Sequence, residues 1–390
     1  MATVRLPRSD GRIEGYTVRN APLPTAAAGD APPAFNRVAY AAAHVVVDPL
    51  GENDPFLDAT VDWDRTLRFR HYLWDLGFGV AEAMDTAQRG MGLDWPGALD
   101  LIGRTLAEAK SRPGAVVGCG AGTDHLAADE ARTLDEVIAA YECQIEAIEA
   151  LDGRIILMAS RALARIAKGP DDYVRVYDRI LRQVRHPVVI HWLGEMFDPE
   201  LAGYWGASDH GAAMETVLSL IADHAGKVDG VKISLLSAEK EIAMRRRLPR
   251  GVRMYTGDDF NYADLIAGDR DGYSDALLGI FDPIAPAASL ALTRLAAGDL
   301  AGFHDLLGPT VPLSRHIFKA PTQFYKTGVV FLAYLNGLQD HFHMIGGQQG
   351  ARSLRHFAEL FRLADAARVL RDPDLAADRI GKLMALGGAA

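Results

Sequence analysis

Lys232 stands between Val231 and Ile233 in the run VDGVKISLLS (residues 228–237), whose other residues read as a buried strand. Removing an ammonium from water disfavours its charged form, so a lysine in such a wall offers its free amine at neutral pH. A free amine beside a carbonyl forms a Schiff base, and that is the chemistry this residue can do. The other reading is packing, with the stem in the core and the head reaching water or a carboxylate. YTGDDF at 255–260 favours the amine, because it puts Asp258 and Asp259 at the end of the next strand candidate. Asp258 also reads as an N-cap for the helix that follows.

These groups need a scaffold. Short apolar runs recur at 37–48, 77–84, 114–120, 154–160, 186–194, 229–236, 251–257 and 276–282, each followed by a helical pattern. The clearest helix opens at Thr133, with Glu136 in capping-box spacing and Leu134, Val137, Ile138, Tyr141, Ile145 and Ile148 on one face. Eight strands alternating with helices predict an α/β fold, a (β/α)8 TIM barrel rather than a doubly wound open sheet. The expected division is an N-terminal arm at 1–36, the barrel at 37–295 and a C-terminal helical extension at 296–390. Polar residues gather where the strands end: His44 and Asp48, Glu82 and Asp85, Asp124 and His125, Ser160 and Arg161, His191, Asp258 and Asp259, and Asp282. That rim is where such a barrel builds an active site. The motif DHFHM (340–344) falls in the extension and reads as a packed helix face.

Composition narrows the function classes. A net charge of -10 argues against a nucleic-acid footprint, which needs clustered basic residues. Two cysteines, Cys119 and Cys143, make a disulfide framework unsuitable and fit a reducing, cytoplasmic compartment. No apolar run reaches the ~18 residues of a membrane span.

DGVKIS, then YTGDDF, then ALLGIFDPIAPAASLALTRLAAGDLAGFHDLL (276–307) resemble the dihydrodipicolinate synthase / N-acetylneuraminate lyase superfamily of class I aldolases, over about residues 37–310. The helical tail is similar to that of a lyase-like subgroup without an assigned reaction. The resemblance implies an imine between the sixth-strand lysine and a 2-oxo acid, a small-molecule substrate, no cofactor, and a homo-oligomer. Two departures follow from it. The family's G-T-T-G-E turn after the second strand is replaced by AMDTAQRG (83–90), which keeps Thr86 and puts Asp85 where a carboxylate would bind. Two anions at ~4 Å repel by about 4 kcal/mol at an effective dielectric near 20, so a compensating cation is needed, and Arg89 is the candidate. The family's fifth-strand tyrosine relay is replaced by His191 in VVIHWLG, and Glu195 and Met196 stand where its arginine usually follows. Histidine can relay protons because its ordinary pKa lies near neutrality.

The reading is a Schiff-base-forming lyase that cleaves or dehydrates a keto acid or a polyhydroxylated keto-sugar. Lys232 is its nucleophile and His191 its acid/base, with Asp258 and Asp259 orienting the lysine or a hydroxyl. Glu82, Asp85, Thr86, Arg89, Asp124 and His125 complete the substrate contacts. The alternative is a divalent-metal sugar isomerase or hydrolase using His44, Glu82, Asp124, His125 and His191, residue types that Zn2+, Mn2+ or Mg2+ accept. A third reading is a non-catalytic barrel that binds a sugar-like ligand.

Overall fold

Each of the eight apolar runs overlaps one strand of a closed parallel barrel in the computed structural model, which describes residues 2–24, 31–52, 54, 56 and 60–389. A hairpin of β1 (Thr3–Pro7) and β2 (Ile13–Thr17) precedes the barrel. The barrel strands are β3 (Ala39–Ala42), β4 (Gly79–Glu82), β5 (Val117–Ala121), β6 (Arg154–Leu157), β7 (Val188–Leu193), β8 (Val228–Ser234), β9 (Arg253–Thr256) and β10 (Asp275–Leu278). They close in chain order, with β10 pairing β3. The fold is the (β/α)8 barrel with a C-terminal helical extension. No helix among the described residues is long and apolar enough to cross a membrane.

The described chain forms two compact units. The barrel unit, residues 37–43 and 79–278, holds all eight strands. Its interior is filled by Ala42, Ala81, Ile156, Val189, Tyr255 and Leu277, drawn from six of them. Glycine makes room for the two large rings. A Cβ on Gly79 would stand 2.7 Å from the Tyr40 ring, and one on Gly230 2.6 Å from the Tyr255 ring. The Tyr255 hydroxyl donates to Asp229 Oδ2 at 2.6 Å, which satisfies the one polar atom that ring brings inside.

The second unit comprises residues 1–36, 44–78 and 279–390. Its helices include Trp63–Asp75 and Ala285–Ala296, followed by Leu300–Leu307, Thr310–Ile317, Tyr325–Leu335, Leu354–Ala366 and Pro373–Leu386. Buried Asp365 anchors the N-terminal segment: it accepts from the Tyr16 hydroxyl (2.6 Å) and from the backbone N–H groups of Arg19 and Asn20 (both 3.1 Å). Residues 25–30 of the expected arm lie outside the described residues. DHFHM is not helical. Gly337, at φ 72°, ends the preceding helix in the left-handed conformation, and 340–344 follows as a bend and irregular chain. There Phe342 packs on Phe331 (5.0 Å between centroids) and Asp340 pairs with Arg65 and Arg379.

In this unit the rings of His316 and His356 stack at 4.3 Å, and His316 Nε2–H donates to the His356 carbonyl at 2.9 Å. Burial, with His316, Lys319 and Arg352 nearby, pushes the His356 pKa down to about 2. The unfolded chain therefore binds a proton below about pH 6.5 that the fold does not, and stability falls as pH drops through that value. The expected slope from His356 is about 1.4 kcal/mol per pH unit below pH 6. Urea unfolding at pH 7.5 and 5.5 checks it, and H356F is expected to lose that component.

Candidate active site

Lys232 of β8 is in register with His191 of β7 and Tyr255 of β9, so all three side chains face the barrel interior. Lys232 is only 7% exposed. Burial lowers its pKa, against the opposing fields of Asp85 and Asp259. Gly257, just beyond β9, presses on it closely. The Gly257 N–H donates to the Ile233 carbonyl (2.9 Å), and a Cβ there would stand 2.8 Å from Lys232 Cε and 2.2 Å from Ser234 Oγ. G257A is expected to destabilise the protein by about 1–3 kcal/mol through overpacking and to displace the lysine. Denaturant unfolding and reactivity of the Lys232 amine check the two halves separately.

His191 is fully buried, with Nε2 3.3 Å from Ser234 Oγ and Nδ1 without a protein partner. Burial first, and the Lys232 charge second, hold its pKa well below the ordinary histidine value. The imidazole is therefore neutral at neutral pH, with one ring nitrogen left for a ligand. A cavity of about 410 Å3 opens over it, walled by Asp85, Thr123, Asp124, Arg161 and Arg165 among others. Lys232 is not part of that wall. It is the strand neighbour of His191, and Asp85, which does line the cavity, is the anion that acts on it most. Non-glycine residues with positive φ stand just beyond the strand ends, Ala83 (53°) after β4 and Leu236 (50°) after β8. Such strain persists only where the surroundings over-determine it.

The remaining expected residues divide. Asp259 is buried and contributes its field to Lys232. Asp258 caps the next turn: it accepts from the N–H groups of Phe260 (2.9 Å) and Asn261 (3.1 Å) and from the Asn261 side chain (2.8 Å). Thr86 is buried in the 3-10 turn Asp85–Ala87, outside the cavity wall. Glu82 has the opposite strand phase from Ala81 and turns outward, accepting from Thr105 Oγ1 (2.7 Å) and from the Ala83 N–H (2.9 Å). It does not line the cavity.

Arg89 is not a free anion receptor. Its Nε and Nη2 clamp Asp124, Nη1 donates to the carbonyls of Gly120 (3.1 Å) and Ala83 (3.3 Å), and Nη2 also meets Gln144 Oε1 (3.0 Å). Gln144 holds Asp124 Oδ1 and His125 Nδ1, both at 2.9 Å. Arg89, Asp124, Gln144 and His125 thus make one network that fixes the 122–125 turn. Of the residues of the metal alternative, Glu82, Asp124 and His125 are held by the hydrogen bonds above and His44 gives Nδ1 to Asp282 (2.7 Å), while His191 keeps its open nitrogen; no three His, Cys, Asp or Glu side chains converge as ligands among the described residues.

Ser234, Thr123 and Asp198 escaped the sequence reading, whereas Ser160 and Arg161 stood among its strand-end residues. Ser234 contacts His191 from the same strand face as Lys232, a period-2 signal that was available in VKIS. Thr123 and Ser160 share a hydrogen bond at 2.6 Å beside the cavity, and Arg161 is held by Asp198 at 2.6 Å. The Arg161 partner lies 37 residues away, with no local signal.

The barrel is similar in fold to those of dihydrodipicolinate synthases. It superposes on the enzyme from Oceanobacillus iheyensis with a TM-score of 0.63 at 14% identity, over 84% of this chain and 95% of that one. The Thermotoga maritima synthase gives 0.62 at 14% identity, over 86% and 100%. A chloride-inhibited synthase from Acinetobacter baumannii complexed with pyruvate gives 0.62 at 16%, over 85% and 99%. At these identities the likeness is one of fold. The chain belongs to the family described as "Protein of unknown function (DUF993)", whose model matches residues 4–389. No curated protein matches it in sequence.

Proposed function

We propose that this barrel is a Schiff-base-forming lyase of the class I aldolase type, acting on a hydroxylated keto compound. The observation that carries the proposal is Lys232: an amine kept from charging by burial, on the inner face of the sixth barrel strand, beside a neutral histidine with an open nitrogen. The amine attacks the substrate carbonyl carbon, and the carbinolamine loses water to give an imine. For cleavage, the protonated imine receives the electron pair of the breaking carbon–carbon bond; for dehydration it receives the pair left by the proton removed from the adjacent carbon, and the enamine so formed expels the β-hydroxyl, which takes the carbon–oxygen pair and a proton and leaves as water. His191 carries the proton to or from the substrate through Nδ1, and water hydrolyses the imine to free the product. The protonated imine is itself the electron sink, so the chemistry requires no cofactor.

The cavity wall supports a hydroxylated substrate over a small 2-oxo acid. Its charged residues are five acids (Asp85, Asp124, Asp129, Asp198, Glu200) against three arginines (Arg89, Arg161, Arg165). Arg89 and Arg161 are already paired, with Asp124 and Asp198. A carboxylate entering such a wall meets net repulsion, whereas hydroxyls find acceptors. Borohydride reduction in the presence of dihydroxyacetone, pyruvate or a 2-keto sugar acid, followed by peptide mapping, tests the proposal. The expected result is a stable adduct on Lys232, formed at lower concentration with the hydroxylated ketones. No adduct with any of them would sink it.

A further inference from the structure

Glu241 lies outside the cavity on the helix Ala238–Arg245, yet its carboxyl is 1% exposed. Its oxygens meet two hydroxyls: Thr256 Oγ1 donates to Oε2 at 2.9 Å and Ser274 Oγ donates to Oε1 at 2.7 Å. The basic group whose charge acts on it, Arg245 on the same helix, directs its guanidinium to Asp269 (2.8 Å), to Ser274 Oγ and to the Leu265 carbonyl (both 3.4 Å). A carboxyl buried without a paired cation costs least when protonated. Burial pushes its pKa up to about 8; the two hydroxyls and Arg245 pull it down, while Asp258 pushes it further up.

The position matters because of what Thr256 does next. Its Oγ1 accepts the N–H of Asp258 at 3.2 Å, at the start of the turn that presses on the lysine. Asp258 holds Phe260 and Asn261, Gly257 is tied to Ile233 of β8, and Asp259 sends its field to Lys232. A chain of contacts therefore runs from Glu241 through Thr256 to the turn 257–259 and the amine.

We propose that Glu241 is a positioning residue for Lys232, holding the 257–259 turn against the lysine through Thr256. The inference rests on the imine reading for its functional consequence, though not for the link itself. While Glu241 is neutral, its own O–H turns to one of the two hydroxyls and it accepts from the other, and the turn stays seated. Once it ionises, an uncompensated charge faces Asp258 and the turn loosens. Imine formation then falls at alkaline pH, the reverse of what an amine losing its own proton would give.

The test is the pH profile of borohydride trapping with dihydroxyacetone between pH 6 and 9.5. The wild type is expected to lose trapping rate several-fold above pH 8. E241Q keeps the shape without the titration, so it should match the wild type within about threefold at pH 7 and show no alkaline fall. T256V, which cuts the link, should trap at least tenfold more slowly throughout while its circular dichroism is unchanged. An alkaline fall retained in E241Q, or wild-type trapping by T256V, overturns the proposal. If the wild type traps nothing, the imine reading fails and the link is judged without substrate, by amide hydrogen exchange of residues 257–261 at pH 7 and 9, corrected for intrinsic rate. Protection lost at pH 9 in the wild type and kept in E241Q supports it. Equal behaviour of the two proteins refutes it.

Discussion

K232M is expected to abolish the borohydride adduct and to lower turnover by about 10^4-fold or more, the scale on which removing a covalent nucleophile acts. Methionine is close to the lysine stem in volume and flexibility, so it fills the space beneath Gly257 without a new clash. It also removes a buried amine whose charged form burial disfavours. The variant should consequently be as stable as the wild type or more stable, which separates loss of chemistry from loss of fold. A thermal melt and a trapping assay on the same preparation read the two effects. The expectation is specific to the amine, because His191 and Ser234 still contact each other and the cavity keeps its wall. Turnover surviving in a folded K232M protein would mean that the amine takes no covalent part.

Much of the architecture was legible because barrel strands are buried on both faces and read as continuous apolar runs. The same property hid the phase. In β4 both Ala81 and Glu82 are fully buried, so hydropathy could not tell that Ala81 points into the barrel and Glu82 toward Thr105. Lys232 was visible because a cation between Val231 and Ile233 contradicts its surroundings, whichever way it points. For Asp258 the sequence left two readings open, a catalytic group and an N-cap. The structure has it accept from Phe260 and Asn261 in a local turn, while the field of Asp259 reaches the lysine.

Long-range polar pairing was the least legible part. Arg89 looked like a spare cation because its acceptors come from Ala83, Gly120, Asp124 and Gln144, spread over some sixty residues of sequence. His44 and Asp282 present the same difficulty, meeting at 2.7 Å across more than half the chain. A cluster of acids and histidines at strand ends therefore marks a rim correctly without revealing which members are already paired. On the proposed reading the site is smaller than the set of polar residues suggests, centred on Lys232, His191 and the acids whose fields reach the amine.

The commitment of Arg89 leads to the largest expected loss of stability. Its side chain is 1% exposed and that of Asp124 28%, so the pair is partly shielded from solvent rather than a surface contact. Burial alone would raise the Asp124 pKa, yet the hydrogen bonds and charge of Arg89 hold it below the ordinary carboxylate value. R89M takes the cation from Asp124 and its donors from two backbone carbonyls, leaving Asp124 with the Gln144 amide, which also holds the Gly122 N–H. Breaking one side of such a pair costs about 3–5 kcal/mol, because the remaining charge is left without a partner. D124N should cost less, since an amide can still accept from Arg89 and the residue is nearer to solvent. The double variant R89M/D124N should recover part of the R89M loss, a coupling of roughly 1–3 kcal/mol in a double-mutant cycle measured by urea unfolding. Because the Asp124 carboxyl is stabilised in its charged form, its contribution is present above the unfolded carboxylate pKa and is lost as pH falls through its lowered folded value. The coupling should therefore be full at pH 7 and shrink in strong acid. A coupling near zero at pH 7 would return Arg89 to the role of a free cation at the cavity wall, and with it the capacity of this site to hold a carboxylate.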